Sequence, residues 1–144
     1  MLMAEKETAH DMMDRYVDAV IEQIKLYHQA VGSYCFAWGV GSDDTGTQRG
    51  EFISPDLFVE MIKPHYKRLC DWVHANTNWK TYLHSCGSIY CYIPEWIDAG
   101  IDILNPVQIY AANMEPERLM KDFGRKIVLW SGGCDTQKVL PLGN

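Results

Sequence analysis

The sequence predicts an α/β protein built as part of a parallel (β/α)8 barrel, about four βα units long, and three observations predict it. Helical and strand-like segments alternate through nearly the whole chain, in the order α-β-α-β-α-β-α-β. The connections between them are short, which favours a parallel sheet with right-handed crossovers. Every residue type suited to chemistry follows a strand and precedes a helix. In parallel α/β architectures that end of the sheet is where active sites sit.

The first element is a helix over residues 11–31, preceded by a polar tail of mixed charge at 1–10. Val17, Val20, Ile21, Ile24, Tyr27 and Val31 recur at helical spacing, with Asp14, Asp18, Glu22 and Lys25 off that stripe. Gly32 stops it. The unbroken apolar run Tyr34-Cys35-Phe36-Ala37-Trp38, inside 33–40, suits a strand buried on both faces. A polar loop, Gly41-Ser42-Asp43-Asp44-Thr45-Gly46-Thr47-Gln48, follows.

Ser54-Pro55-Asp56 is a helix start: serine caps, proline suits the first turn and aspartate suits the dipole. That helix runs to about residue 76, with Pro64 kinking or splitting it. A strand over 79–83 ends in His84, and a helix over 88–99, distorted by Pro94, stops at Gly100. A third strand at 101–104 leads into Asn105-Pro106-Val107-Gln108. A helix at 115–123 closes at Gly124, and a fourth strand at 126–130 leads to the Cys134 loop.

Four polar clusters on four successive βα loops fit a barrel better than a dinucleotide-binding sheet, whose Gly-x-Gly-x-x-Gly turn is missing from the first strand end. A full barrel takes about 250 residues, and 144 residues with four strands amount to one half, expected to be incomplete by itself. Two unpaired parallel edges invite association, so the partner is either the other barrel half or a second copy.

The bulk numbers exclude several classes. A net charge of −6 leaves no electrostatic footprint for nucleic acid. No apolar run approaches the roughly 18 residues of a membrane span. The polar start of the chain lacks a secretory apolar core, and five cysteines read as reduced thiols, so a cytoplasmic location is expected.

The chemistry concentrates in His84-Ser85-Cys86-Gly87 and in Ser131-Gly132-Gly133-Cys134-Asp135. One imidazole and two thiolates form a borderline-soft set that suits zinc, and three protein donors leave a fourth position open. His84, Cys86 and Cys134 are therefore the candidate ligands. Asp43 and Asp44 hold a polar substrate or orient a ligand, or else cap a turn. Asn105 and Gln108 shape the loop around Pro106 or touch a ligand. Asp135 supports the site or caps the next segment. Cys35, Cys70 and Cys91 read as packing residues, the five tryptophans as core, and His10, His28, His65 and His74 as solvated or half-buried.

These motifs carry a resemblance. Asp43-Asp44-Thr45-Gly46-Thr47-Gln48, Ser54-Pro55-Asp56-Leu57-Phe58, Ile62-Lys63-Pro64-His65-Tyr66-Lys67-Arg68-Leu69, Leu83-His84-Ser85-Cys86-Gly87, Asp102-Ile103-Leu104-Asn105-Pro106-Val107-Gln108 and Gly132-Gly133-Cys134-Asp135-Thr136-Gln137 occur in order. Over residues 11–143 the chain resembles the uroporphyrinogen decarboxylase superfamily, in its C-terminal half. The resemblance implies a (β/α)8 TIM barrel, here a partial barrel domain over 11–144. The His-x-Cys pair and the distant Cys match the zinc-dependent branch that uses methyl-cobamide. That branch implies a zinc-dependent methyltransferase moving a methyl group from a corrinoid protein to a thiol acceptor, with methyl-cobamide as co-substrate. Two alternatives stand beside it: a decarboxylase acting on a tetrapyrrole in porphyrin biosynthesis, and an inactive fragment of an enzyme.

Overall fold

The structure, a computed structural model, describes residues 4–143. Its elements are α1 (Lys6–Val31), β1 (Ala37–Ser42), α2 (Pro55–Met61), α3 (Lys63–Asn76), β2 (Lys80–His84), α4 (Ile93–Ala99), β3 (Ile103–Asn105), α5 (Pro116–Phe123), β4 (Val128–Leu129) and α6 (Val139–Leu142). The strands form one parallel sheet in the order β1-β2-β3-β4. The architecture is α/β and has the form of part of a TIM barrel. No helix of the described residues is long and apolar enough to cross a membrane.

α1 starts at Lys6, five residues before the expected start of the helix at residue 11. Ala9 is fully buried and Lys6 Nζ meets Glu60 of α2 at 2.6 Å, so packing extends the helix into the expected tail. Residues 1–3 of that tail lie outside the described residues. Ser54 caps α2 as expected, its Oγ accepting from Leu57 N–H at 3.3 Å. Pro64 divides the long helix: α2 ends at Met61 and α3 restarts at Lys63 with the proline in its first turn. Pro94 has a similar effect, confining α4 to 93–99 after a 3-10 turn at Tyr90–Tyr92. Gly100 closes α4 at φ 98°, a left-handed conformation that favours glycine.

One expectation fails at the first strand. The run Tyr34 to Trp38 is not a doubly buried strand: a 3-10 turn occupies Gly32–Tyr34, β1 starts at Ala37, and Cys35 is exposed. Tyr34 and Phe36 are 92% and 71% exposed. β1 has a neighbour on one side only among the described residues, so nothing covers that end of the run. Trp130 departs from the core for the same reason at the opposite edge, beside the two-residue β4.

The helices cover one face of the sheet. Leu83 and Leu104, paired in register, are fully buried beneath them. The core continues through Phe58, Tyr92 and Trp96, whose rings pack with centroids 4.6 to 5.9 Å apart. Each such burial contributes roughly 2–3 kcal/mol. The opposite face carries Gly39, Tyr82, Ile103 and Val128 in one row. It is the more open face, with Val128 exposed and Tyr82 half-buried. Parallel pairing then sets Ser42, His84 and Asn105 side by side at the strand ends.

Candidate metal centre

His84 and Asn105 are register partners, and their side chains bond across the rim. His84 Nδ1–H donates to Asn105 Oδ1 at 2.8 Å, and Tyr82 Oη donates to the same oxygen at 3.0 Å. Asn105 Nδ2 donates to Trp130 O at 3.1 Å, which fixes the amide the right way round. An amide oxygen can only accept, so Nδ1 of His84 carries a proton, and in the neutral ring the lone pair is on Nε2. That lone pair faces the next loop: Nε2 lies 3.4 Å from Cys86 Sγ and 3.9 Å from Asp44 Oδ1. Orientation of a histidine by a hydrogen bond through its other nitrogen is what metal-binding histidines require.

Asp44, His84 and Cys86 each offer one donor atom, and these atoms lie within 4.8 Å of one another. Cys86 N–H donates to Asp44 Oδ1 at 2.9 Å, fixing the carboxylate beside the thiol. Burial, then the hydrogen bond and charge of Asp44, push the Cys86 thiol up to about 11. Such a thiol keeps its proton at neutral pH unless a cation replaces it. One nitrogen, one sulfur and one oxygen around a small polar space fit zinc.

The loops after β1 and β2 are laced together beneath this cluster. Ser85, fully buried, donates its N–H to Asn105 O at 2.8 Å and shares its Oγ with Thr45 Oγ1 at 2.8 Å. Ser88 N–H donates to Thr47 O at 2.7 Å. Gly87 adopts φ 89°, and a Cβ there would stand 2.3 Å from Gly46 O. Glycine is therefore required by conformation and by space. Gln108 Oε1 accepts from Gly87 N–H at 3.0 Å and from Gln48 Nε2 at 2.9 Å, so its role is to hold the loop that carries Cys86.

The other expected residues separate. Asp43 turns away from the cluster, accepting from Tyr66 Oη at 2.8 Å in the wall of a cavity of about 590 Å3. Burial and the Asp43 carboxylate hold the Tyr66 phenol well above its usual range. Asp135 is buried and its Oδ1 accepts from Gln137 N–H at 2.7 Å and Lys138 N–H at 3.0 Å, so it holds a turn. Cys134 is exposed and lies outside the 4.8 Å cluster, its thiol 3.8 Å from Asp135 O. Ser131 at φ 100° and Gly132 at φ 90° turn this loop onto Val107 and Ile109.

Sequence reasoning placed Asp44 in a supporting role and missed Tyr82 and Ser85. Tyr82 was legible in principle, since it precedes His84 by two residues and shares its face. His65 is buried rather than solvated, between Asp14 at 3.4 Å and His10 at 3.1 Å. Cys70 and Cys91 are packed, and burial raises both thiols.

A family model described as uroporphyrinogen decarboxylase (URO-D) matches residues 1–134. No curated protein and no solved structure matches the chain.

Proposed function

The chain belongs to the uroporphyrinogen decarboxylase family, and from that membership we propose that it serves zinc-dependent methyl transfer from a corrinoid protein to a small thiol. The observation that carries this reading is the preset imidazole: Asn105 takes the Nδ1 proton of His84 and leaves Nε2 facing Cys86 Sγ at 3.4 Å. His84 and Cys86 are the protein donors for zinc, with the carboxylate of Asp44 as the hardest and so the most exchangeable donor beside them; Cys134, outside that cluster in this structure, is the further donor only if its exposed loop swings onto the rim. When bound, the ion supplies the positive charge that lets a thiol lose its proton at neutral pH. Thiolate donors suit this role, because a softer site keeps a neighbouring sulfur nucleophilic, whereas a carboxylate-rich site favours activation of water.

The residues around the donors have separable duties. Asn105 fixes the tautomer, Gln108 and Ser85 fix the loop that carries Cys86, and Gly87 lets that loop approach the Gly46 turn. A methyl-cobamide held by the corrinoid protein would supply the methyl group: the acceptor thiol, its proton passed to solvent, would bond through sulfur to the methyl carbon while the carbon–cobalt bond breaks and leaves its electron pair on cobalt. The four α–β units are one half of an eight-unit barrel on this reading. The test supplies the protein with zinc, a methyl-cobamide and a thiol, and follows thioether formation. Release of carbon dioxide from a carboxylated tetrapyrrole, with no thioether formed, would overturn the reading in favour of decarboxylation.

A further inference from the structure

The cavity in whose wall Asp43 stands lies among α1, β1, the loop after β1, α2 and α3, and holds about 590 Å3. Small-molecule sites run to about 300–1,000 Å3 and are lined mainly by apolar side chains with a few placed polar groups. The buried side chains here fit that description. Val17 of α1, Val40 of β1, Phe58 of α2 and Leu69 of α3 line the space, with Tyr66 and His65 of α3 beside them. Such a lining takes an apolar body by releasing water from both surfaces.

The polar end is specifically built. Tyr66 is 7% exposed, and its Oη donates to Asp43 Oδ2 at 2.8 Å. It comes this close to the strand end because Gly41 has no side chain: a Cβ there would stand 2.8 Å from the same hydroxyl. β1 also bulges between Gly39 and Gly41 as it enters this loop, a distortion that re-aims side chains beside active sites. Tyr66 occupies one oxygen of Asp43, and among the described residues the other has no protein donor and no cationic side chain pairs with it.

The charge in the cavity has one sign. Asp43 and Asp44 line it, and no lysine or arginine does. The one basic group in the lining, His65, is held below its usual value chiefly by burial, so its imidazole is neutral at neutral pH. An anionic ligand would meet two carboxylates and no counter-charge. A cation meets the open side of Asp43, and the rings of Phe58 and Tyr66 in the lining suit a cation as well.

We propose that this cavity binds a small organic cation, a protonated amine on an apolar body, with Asp43 as its counter-charge and Tyr66 holding that carboxylate in place. The proposal rests on the cavity and not on the metal chemistry. The two sites share a loop: Asp43 bonds Tyr66 of the cavity, and Asp44 bonds the Cys86 N–H of the cluster. A carboxylated tetrapyrrole carries the wrong sign of charge for this cavity.

The test is calorimetric titration of the full chain, at neutral pH and low ionic strength, with three probes of similar size. These are 2-phenylethylamine as the cation, 2-phenylethanol as the neutral form and 3-phenylpropionate as the anion. The amine is expected to bind at least roughly tenfold tighter than the anion, with the alcohol between them. Added salt should shrink that margin by screening. Asp43 is exposed, so Asp43→Asn should keep the circular dichroism of the parent, and it should cut the amine's margin over the anion by roughly threefold or more. Met13 is half-buried in the cavity wall, and Met13→Trp, which adds bulk there, should weaken all three probes. An anion that binds as tightly as the amine, a margin that Asp43→Asn leaves intact, or binding that Met13→Trp leaves untouched overturns the proposal. A parent that binds none of the three also overturns it, and zinc retained by that protein would show the metal centre standing without it.

Discussion

Replacing Gly87 by alanine puts a methyl group into the contact that joins the first two strand-end loops. Gly87 sits at φ 89°, and the added Cβ would lie 2.3 Å from Gly46 O, 2.4 Å from Gly46 C and 2.7 Å from Thr47 O. All three are backbone atoms, so no side chain can swing aside. The left-handed backbone costs an alanine about 1–2 kcal/mol. Relief of the overlap moves the loops apart and strains the bonds from Ser88 N–H to Thr47 O and from Gly87 N–H to Gln108 Oε1. Each is worth about 1 kcal/mol. The total is about 3–4 kcal/mol, which for a domain of this size lowers the melting temperature by roughly 10 °C. Gly50→Ala is the control: its Cβ would meet nothing within 4 Å, and its melting temperature should stay at that of the parent. Thermal melts followed by circular dichroism measure both. A Gly87→Ala protein melting with the parent would refute the claim that this contact locks the loops.

Two further outcomes follow from named bonds. Asn105→Ala removes the acceptor shared by His84 Nδ1–H and Tyr82 Oη, so it should weaken zinc binding about 10- to 100-fold while circular dichroism is unchanged; isothermal titration with zinc reads the loss. Asp102 gives a pH dependence. Burial alone would raise its carboxyl, but the Thr81 N–H, His74 and Lys80 outweigh burial and hold it below the usual carboxylate range. A carboxyl depressed in the folded state stabilises above its unfolded pKa and loses that stabilisation as pH falls through the folded value. Asp102→Asn should therefore cost about 1–2 kcal/mol at neutral pH, and melts taken at falling pH should show the gap to the parent narrowing below about pH 4.

The helices were the most legible part of the chain because their signals are local. Ser54, Pro55 and Asp56 start α2 through a cap, a preset φ and a favourable charge, and Pro64 lacks the N–H that an unbroken helix would need. The alternation of elements was equally local, and it yields the parallel order β1 to β4. Burial of the run at 34–38 was not local. An apolar run marks a strand with two neighbours only if both neighbours exist, and among the described residues β1 has one. The same dependence on what stands beside an edge explains Trp130.

At the site, His84 and Cys86 could be paired by their spacing, since two residues along an extended chain return to one face. Asp44 and Asn105 reach them from other strand ends, and the contact rests on register that no single segment encodes. Cys134 shows the converse. Its position after a strand matched the rim, but the turn at Ser131 and Gly132 sends its loop toward Val107 and Ile109.

The central claim is that His84 and Cys86 are metal donors, and zinc content tests it most directly. The protein, equilibrated with zinc and then freed of loosely held metal, is analysed by elemental mass spectrometry beside Cys86→Ala and Cys134→Ala. One zinc per chain in the parent, its loss in Cys86→Ala and weaker retention in Cys134→Ala are the expected results. A parent that retains no zinc, or a Cys86→Ala protein that retains as much as the parent, would contradict the account.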